Sequence, residues 1–297
     1  RNVIKVDGQV SSQYVTALLI GAPLLRNRST STQIQVSNLI SAPYVNMTIT
    51  LLEEFGVHVT TEQWAQHHVF TVHQQAYTSP LTFTVEPDAS SASYFLAAGT
   101  IRGCGPISID GLSKGSPRHP PLQGDIDFIR ILDLMGGNVR WNEGRVTVFP
   151  CEGKLKGIHA NLNHIPDAAM TVAALATRAN SPTTIEGIGS WRVKECDRIE
   201  AMASELSKIG ARVEVGSDWI RIHPVNAEVR KSIQSSSKTS NSVRISTYKD
   251  HRIAMSLAIL SLGEEGIEME IEDPGCVAKT FPEFFRELDR LTIRDAR

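Results

Sequence analysis

Four segments of small and apolar residues recur along the chain, and each is apolar on nearly every face that a helix would present. Successive segments begin about 80 residues apart, a period that indicates an internal repeat. A helix that is apolar all round is predicted to be buried. The four predicted buried helices are residues 11–21, 90–99, 166–175 and 251–260.

An amphipathic segment follows each buried one, and the first three of these end at a glycine, which favours the end of a helix. The amphipathic helices are predicted at residues 44–55, 126–135, 198–209 and 282–291, and the glycines are Gly56, Gly136 and Gly210. In the later copies a short β-rich run precedes the amphipathic helix, as at residues 107–110 and 183–186.

Alternating apolar and polar positions after the first three amphipathic helices predict hairpin strands. The paired strands are residues 57–61 with 69–73, 138–141 with 145–149, and 212–215 with 219–223. The repeated unit is therefore a helix, a strand, a helix and two strands. Because a buried helix needs several neighbours, packed copies of this unit predict an α/β (α+β) fold of repeated βα units.

A domain boundary is predicted near residues 85–88, where a strand-like run meets Pro87. One unit precedes this boundary and three follow it, which predicts domains of residues 1–86 and 87–297. This unequal number of units predicts that the first domain is incomplete. A strand predicted at residues 3–8, with almost nothing before it, likewise predicts a chain cut from a longer one. Residues 228–243 include a Ser/Lys-rich stretch and are predicted to form a surface loop or insertion.

Composition narrows the function classes. The 297 residues are 41% hydrophobic and 21% charged, which is typical of a globular protein, and the net charge of -2 gives no reason to expect nucleic acid or an anionic membrane as a partner. No apolar run approaches the roughly 20 residues that a membrane span needs. The 4 cysteines are far apart and lack metal-site spacing, so neither zinc nor a disulfide framework is expected, and an intracellular compartment fits best.

The densest group of charged candidates lies at residues 191–198, where the third amphipathic helix is predicted to begin. Backbone N–H groups at a helix start attract anions, and nearby lysine and arginine side chains strengthen that attraction. If the helix begins near Lys194, then Glu195 and Arg198 share one face. A solvated, charged first turn is an equally good interpretation of these residues alone.

Similar groups precede the other buried or amphipathic helices. Asp250 could cap a helix, and the His251–Arg252 pair beside it is less expected. Asp167 could complement a helix dipole or act as a general base. Lys279 would stand at the positive end of a helix, which is unfavourable unless an anion joins it. In a repeat fold these helix starts should converge on one face of each domain, and two facing domains would form a cleft for a substrate with several negative charges.

At these positions the sequence resembles the EPSP synthase family. The resemblance rests on the sequences DASSASYF at 88–95, NHIPDAAM at 163–170, WRVKE at 191–195 and DHRIAM at 250–255, with DG at 7–8, SSQ at 11–13 and AKTFP at 278–282. The motifs occur in family order along nearly the whole chain. The resemblance implies a two-domain enolpyruvyl transferase fold of three similar units per domain, with the upper domain incomplete here and the lower domain at 87–297.

The resemblance also implies an activity and a role for each matched residue. The enolpyruvyl group of phosphoenolpyruvate would pass to the 5-hydroxyl of shikimate 3-phosphate, with no metal or organic cofactor. The residues implied to bind shikimate 3-phosphate are Ser11, Ser12, Gln13, Ser41, Tyr44, Asp167, Ser190 and Lys194. Those implied to bind phosphoenolpyruvate are Gln13, Arg198, Arg252 and Lys279. Asp167 would accept the proton of the 5-hydroxyl, and Glu195 would protonate the methylene carbon.

The sequence departs from the family pattern in several places. Ser190 stands where asparagine is usual, which shortens or removes one contact, and Pro87 stands where glycine is common. The family's N-terminal lysine, serine, arginine and glycine-rich loop have no counterpart, so the chain is predicted to be inactive alone. The alternative functions are a UDP-N-acetylglucosamine enolpyruvyl transferase or an inactive fragment of the parent enzyme. The chain is expected to be a monomer or part of a larger shikimate-pathway polypeptide. A cytoplasmic location is expected, or a plastid if the parent carries a transit peptide.

Overall fold

The computed structural model describes most of the chain as two compact units. One unit is Arg1–Glu86 with Gly115–Gly124, and the other is Pro87–Lys114 with Asp125–Arg297. The described residues are 2–25, 30–64, 67–112, 115, 121–142, 144–239 and 242–292, without the side chains of 236–239 and 292. Assignment of these units to the upper and lower domains of an enolpyruvyl transferase stays a prediction.

Among its described residues the first unit has one four-stranded sheet, two α-helices and a short 3₁₀ helix, Ala22–Leu24. Its elements are β1 (Asn2–Asp7), α1 (Ser12–Gly21), β2 (Ser31–Ser37), α2 (Ala42–Glu54), β3 (Val59–Trp64) and β4 (His67–His73). The strand order is β1-β2-β4-β3, with β1 parallel to β2 and the other pairs antiparallel. Ser11 caps α1 by accepting a hydrogen bond from the Gln13 N–H, as serine at that position favours.

The prediction that the helix at 11–21 is buried all round is wrong. Val15 and Leu19 enter the core, but Tyr14 is 56% exposed and Ile20 is 48% exposed. Among the described residues, α1 contacts α2 and β2 on one side, so only a stripe of the helix is covered. A stripe of this kind is normal for a helix that packs on a sheet.

The second unit builds three sheets around three buried helices. The buried helices are α3 (Ala89–Gly99), α5 (Ala169–Ala176) and α8 (His251–Ala258). The sheets are β5 (Ile107–Asp110) with β7 (Arg145–Phe149) and β6 (Asn138–Asn142); β10 (Val213–Val215), β11 (Trp219–Ile222), β9 (Thr183–Glu186) and β8 (His159–Asn161); and β12 (Val243–Ile245) with β13 (Met269–Ile271). Here the prediction of buried helices is confirmed, and every residue of α5 is buried.

The second unit also contains amphipathic helices among its described residues. They are α4 (Phe128–Leu134), α6 (Arg198–Lys208), α7 (Ala227–Thr239) and α9 (Phe284–Thr292). Three of them confirm predicted helices, with α4 and α9 starting two residues later than predicted. None of the described helices is both long and apolar enough to span a bilayer.

The predicted surface loop at 228–243 is wrong, because most of it forms α7. Asn226 accepts a hydrogen bond from the Glu228 N–H and so starts the helix. Val229 and Ile233, four residues apart on one face, lie against Gly210, where an added Cβ would come 2.5 Å from Val229 Cγ1. Serine is only slightly less favourable than most residues in a helix, so a serine-rich composition does not exclude one.

Arg230 attaches α7 to the rest of the unit. Its guanidinium donates to Glu265 Oε2 at 2.6 Å and to the Thr177 carbonyl at 2.8 Å, and the side chain is buried. We expect Arg230→Met to lower the free energy of unfolding by about 1–3 kcal/mol, because Glu265 and a helix-end carbonyl lose a donor. Urea unfolding measures the loss, and Arg221→Met, at an exposed position of β11, is the control. Equal midpoints for the two variants would contradict the role of Arg230.

Candidate active site

The candidate site forms where α5, α6 and α8 begin. Asp197 caps α6 by accepting hydrogen bonds from the Ile199 and Glu200 N–H groups, which leaves Arg198 as the first helical residue. Asp250 caps α8 by accepting from the Arg252 N–H at 2.8 Å. Asp167 lies two residues before α5. Local capping therefore fixes where Arg198 and Arg252 leave their helices.

Arg198 is at the centre of this group and is only 1% exposed. Its Nε donates to Asp250 Oδ2 at 2.8 Å, its Nη1 to Asp167 Oδ1 at 2.9 Å, and its Nη2 to Glu195 Oε2 at 2.8 Å. A rigid guanidinium fork suits this task, since it can face several carboxylates at once. The interpretation of residues 191–198 as a merely solvated first turn is therefore wrong for Arg198.

Two further cations lie nearer the surface and face the same acids. Arg252 Nη2 lies 3.1 Å from Asp167 Oδ2. Lys279 Nζ donates to Glu195 Oε1, and its side chain is 58% exposed. Lys279 comes from a short 3₁₀ helix, Pro274–Lys279, in contact with α8. Asp167 and Glu195 each therefore lie between buried Arg198 and a more exposed cation.

Electrostatics keep both acids ionised. Burial raises the pKa of Asp167, but the charges of Arg252, Arg198 and Lys194 outweigh burial and lower it. Burial also opposes ionisation of Glu195, yet the hydrogen bond from Lys279 and the charge of Arg198 lower its pKa to about 2. At neutral pH the protein without ligand therefore holds two carboxylates here, with matching cations.

Lys279→Met is expected to raise the pKa of Glu195 above its value of about 2. The substitution removes the hydrogen bond and charge of Lys279, leaving the guanidinium of Arg198. Because a lowered pKa stabilises the fold at pH above the ordinary value near 4.5, acid should weaken the variant less than the wild type as the pH falls from there. A carboxyl ¹³C NMR titration measures this pKa, and Lys154→Met, an exposed lysine outside the group, is the control. An unchanged Glu195 titration would contradict the pairing.

The site also contains residues to which the sequence assigned no role. Burial first, and then the charge of Arg252, lower the pKa of His251 to about 4, so the ring is neutral at pH 7. Within the described part of the chain its two ring nitrogens have no hydrogen-bond partner. Tyr94 is fully buried on α3 and receives a hydrogen bond from Arg252 Nη1 at 3.4 Å. The sequence signals for this part of the site were the unusual His–Arg pair at 251–252 and the motifs at 88–95 and 250–255, which contain Tyr94 and His251.

Ser190 and Lys194 are also predicted to contact the substrate, and both lie in the segment just before α6. Ser190 is buried in a 3₁₀ helix, Gly189–Val193, and its hydroxyl has no hydrogen-bond partner among the described residues. Trp191 in the same turn donates from Nε1 to the Pro166 carbonyl at 2.7 Å, which joins this turn to the segment that carries Asp167. Lys194 follows the turn and is partly exposed.

The first unit holds the remaining predicted residues at the starts of its two helices. Ser11, Ser12 and Gln13 begin α1, and Ser41 and Tyr44 begin α2. Thr16 and Thr48, one turn further along each helix, share a hydrogen bond at 2.9 Å, so the two helix starts are neighbours. Ser41 has a left-handed backbone with φ 52°, which is uncommon for serine. Their roles in substrate binding stay predictions.

Comparison with known proteins relates the chain to one family along most of its length. The family model described as EPSP synthase (3-phosphoshikimate 1-carboxyvinyltransferase) matches residues 1–288. A 3-phosphoshikimate 1-carboxyvinyltransferase from Actinobacillus succinogenes is 44% identical over 291 residues, which cover 97% of this chain and 61% of that protein. One from Haemophilus influenzae is 42% identical over 293 residues, covering 98% and 62%. The chain thus spans about three fifths of these relatives' length.

Solved structures agree in fold. An EPSP synthase from Acinetobacter baumannii superposes with a TM-score of 0.67 at 23% identity and covers 98% of this chain and 62% of its own. The enolpyruvyl transferase NikO from Streptomyces tendae gives 0.66 at 19% identity, covering 98% and 64%. The predicted α/β enolpyruvyl transferase fold is therefore confirmed.

Proposed function

The chain belongs to the EPSP synthase family, and from that premise we propose that it carries the phosphoenolpyruvate half of an active site that makes 5-enolpyruvylshikimate 3-phosphate. The observation that carries the proposal is the pairing of two acids, Asp167 and Glu195, with two accessible cations, Arg252 and Lys279. An anionic ligand would compete with the acids for these cations. Phosphoenolpyruvate brings a carboxylate and a phosphate, two anionic groups that equal these two cations in number and are opposite to them in sign.

The proposed chemistry is an addition followed by an elimination. Asp167 accepts the proton of the 5-hydroxyl while the oxygen bonds to C2 of phosphoenolpyruvate, and Glu195 gives a proton to the methylene carbon. In the second step that carbon returns a proton to Glu195, the bond between C2 and the phosphate oxygen breaks, and the leaving inorganic phosphate takes up the proton held by Asp167. The cations stabilise the negative charge that moves between substrate groups.

Glu195 can act as an acid only if it gains a proton in the complex. In the free protein the cations around it hold its pKa at about 2. When an anionic group of the ligand binds Lys279, Glu195 loses its hydrogen bond with that cation. The ligand also brings its own negative charge close to the Glu195 carboxylate. Both changes raise a carboxyl pKa, so ligand binding itself would prepare the acid.

Arg198 is proposed as the organiser of both acids and as a contact to phosphoenolpyruvate. In the described structure all three of its nitrogens already face carboxylates. Nη1 and Nη2 each carry a second N–H, but the side chain is only 1% exposed, so a ligand oxygen can reach it only if Asp167 or Glu195 moves aside. Release of Glu195 on protonation would free Nη2 for a ligand oxygen.

For shikimate 3-phosphate the proposal names residues in each unit separately: the helix starts of the first unit, and Asp167, Ser190 and Lys194 in the second. Hydroxyl and amide groups at helix starts favour a phosphate group. The rest of the site would come from parts of the family's length that this chain does not span. The chain by itself is accordingly proposed to bind phosphoenolpyruvate without normal turnover, and a normal rate from the purified 297 residues would contradict this.

Lys279→Ala tests the assignment of the phosphoenolpyruvate half. We expect it to weaken phosphoenolpyruvate binding by about tenfold or more, as the loss of a charged hydrogen bond predicts, with little change in shikimate 3-phosphate binding. Isothermal titration calorimetry on the chain measures both ligands. Lys154→Ala, exposed and outside the group, is the control and should bind as the wild type does. Equal losses for both ligands would argue against the assignment.

A UDP-N-acetylglucosamine transferase is not favoured, since the similar curated relatives named above are 3-phosphoshikimate enzymes. Preferential binding of the UDP-sugar in the same titration would reverse this choice. The proposal keeps a cytoplasmic location, or a plastid for a parent with a transit peptide. It also keeps both assembly states, a monomer or part of a larger shikimate-pathway polypeptide.

A further inference from the structure

The segment that leads into the site has an unusual backbone. Tyr248 and Lys249, directly before Asp250, both have left-handed conformations, with φ 54° and φ 58°. Residues other than glycine seldom adopt this region, because the side chain crowds the backbone. Two such residues in succession persist only where their surroundings fix them. Contacts from neighbouring elements must therefore fix the backbone of this turn.

Helix α6 holds the turn from both ends. Glu205 on α6 is fully buried, and its Oε1 accepts the Tyr248 hydroxyl at 2.8 Å. Its Oε2 accepts the Ser246 N–H at 3.0 Å and the Lys208 ammonium at 2.6 Å. Seven residues earlier, on the same face of α6, Arg198 holds Asp250 at the far end of the turn.

Asp250 transmits the position of this turn to the site. Its carboxylate is inaccessible to solvent, caps α8 through the Arg252 N–H, and accepts from Arg198 Nε. A shift of this one carboxylate would therefore change the direction of Arg198 and the first turn of α8. Arg252 projects from that first turn towards Asp167.

We propose that Glu205 is a positioning residue of the candidate active site, which holds the left-handed turn through the Tyr248 hydroxyl and so aligns Asp250 with Arg198 and Arg252. The ammonium group of Lys208 balances the charge of the buried Glu205 carboxylate. Glu205 can therefore accept hydrogen bonds without leaving a net charge in the core. The consequence for ligand binding rests on the proposed function, whereas the alignment of Asp250 does not.

Tyr248→Phe tests the alignment with little disturbance of packing, because the ring is 42% exposed and only its hydroxyl reaches Glu205. The readout is hydrogen exchange of the Arg198 Nε–H, observed by ¹⁵N NMR, since that proton lies on Asp250. We expect exchange to be roughly five- to tenfold faster, the factor for one lost hydrogen bond. Tyr77→Phe, which loses a hydroxyl bond to the Ile20 carbonyl in the first unit, should leave this proton unchanged.

Lys249→Gly separates the role of Glu205 from that of the backbone. Glycine adopts the left-handed region without crowding, and the Tyr248–Glu205 bond remains. We expect exchange at Arg198 to be as slow as in the wild type. Faster exchange in Lys249→Gly, unchanged exchange in Tyr248→Phe, or an equal acceleration of all slow backbone amides in Tyr248→Phe would each overturn the proposal.

Phosphoenolpyruvate titration of the same variants adds the functional consequence. Tyr248→Phe should weaken binding by a similar factor, and Tyr77→Phe should not. If the wild type does not bind phosphoenolpyruvate, the proposed function fails, while the exchange rates still decide whether Glu205 positions Asp250.

Discussion

Arg198→Met is expected to lower the free energy of unfolding by about 3–5 kcal/mol, the cost of leaving buried charges without their partner. Three carboxylates converge on this guanidinium, and Asp250 among them has no solvent exposure. Methionine fills most of the volume, so the loss measures charge and hydrogen bonding more than a cavity. For a typical domain this is a large part of the total stability.

The loss should depend on pH with a definite sign. The pKa of Asp167 is lowered in the fold, so its pairing stabilises the protein above the ordinary carboxyl pKa, and this stabilisation is lost as the pH falls below that value and through the lowered pKa. A protonated carboxyl group is neutral, so it has no charge for Arg198 to balance. The penalty of Arg198→Met should therefore be largest near neutral pH and shrink towards about pH 3, below the ordinary carboxyl pKa of about 3.9.

Urea unfolding at both pH values measures the loss, and two variants control for its cause. Arg145→Met breaks an exposed pair with Asp110 and should change stability little. Arg198→Lys keeps the charge but loses the fork, so it should fall between the wild type and Arg198→Met. If Arg198→Met unfolds at the same urea concentration as Arg145→Met, the buried network does not contribute as described.

The pattern of apolar positions predicted much of this fold because burial and secondary structure leave direct marks on a sequence. The runs at 107–110 and 183–186 form strands with those bounds, and the helix at 90–99 differs from α3 by one residue at its start. The strands β2, β8, β12 and β13 were not predicted. β8, β12 and β13 have three residues each, which shows little alternation, and β10 is as short but was predicted from its hairpin partner; the seven residues of β2 have no such explanation.

The candidate site was only partly predictable for a different reason. The prediction that Glu195 and Arg198 share one face of a helix beginning near Lys194 is wrong, because α6 begins at Arg198. Glu195 lies before the helix and still accepts a hydrogen bond from Arg198. Asp167 and Asp250 lie 31 and 52 residues from Arg198 in sequence, so no local pattern brings them together. Asp250 was interpreted only as a helix cap, although it also binds Arg198. Its second role depends on tertiary packing alone.

Glu195→Gln is expected to reduce turnover by about 10²- to 10⁴-fold, the usual contribution of a general acid, while phosphoenolpyruvate still binds. Glutamine has nearly the shape of glutamate but cannot supply the proton for the methylene carbon. It also frees Lys279 from a carboxylate, so affinity for phosphoenolpyruvate should be kept or increased. Turnover is measured by ³¹P NMR of phosphate release, in a polypeptide that supplies the rest of the family's length. Near-normal turnover would remove Glu195 from proton transfer.

The comparison with other variants separates an acid from a binding group. Glu214→Gln alters an exposed carboxylate that pairs with Arg212 and His223 and should leave turnover unchanged. Lys279→Ala should raise the phosphoenolpyruvate concentration needed for half-maximal rate, whereas Glu195→Gln should lower only the maximal rate. A loss of affinity in Glu195→Gln as large as that in Lys279→Ala would show that the carboxylate serves binding.

The pH profile gives the sharpest test of Glu195, because an acid must carry its proton in the complex. Its pKa of about 2 in the free protein leaves almost no protonated form at neutral pH. Ligand anions that engage Lys279 and Arg198 should raise that pKa, so the maximal rate should fall as the pH rises through the new value. In Glu195→Gln this fall should disappear from the residual rate. If the residual rate of Glu195→Gln keeps the same alkaline limb, the titrating acid is another group.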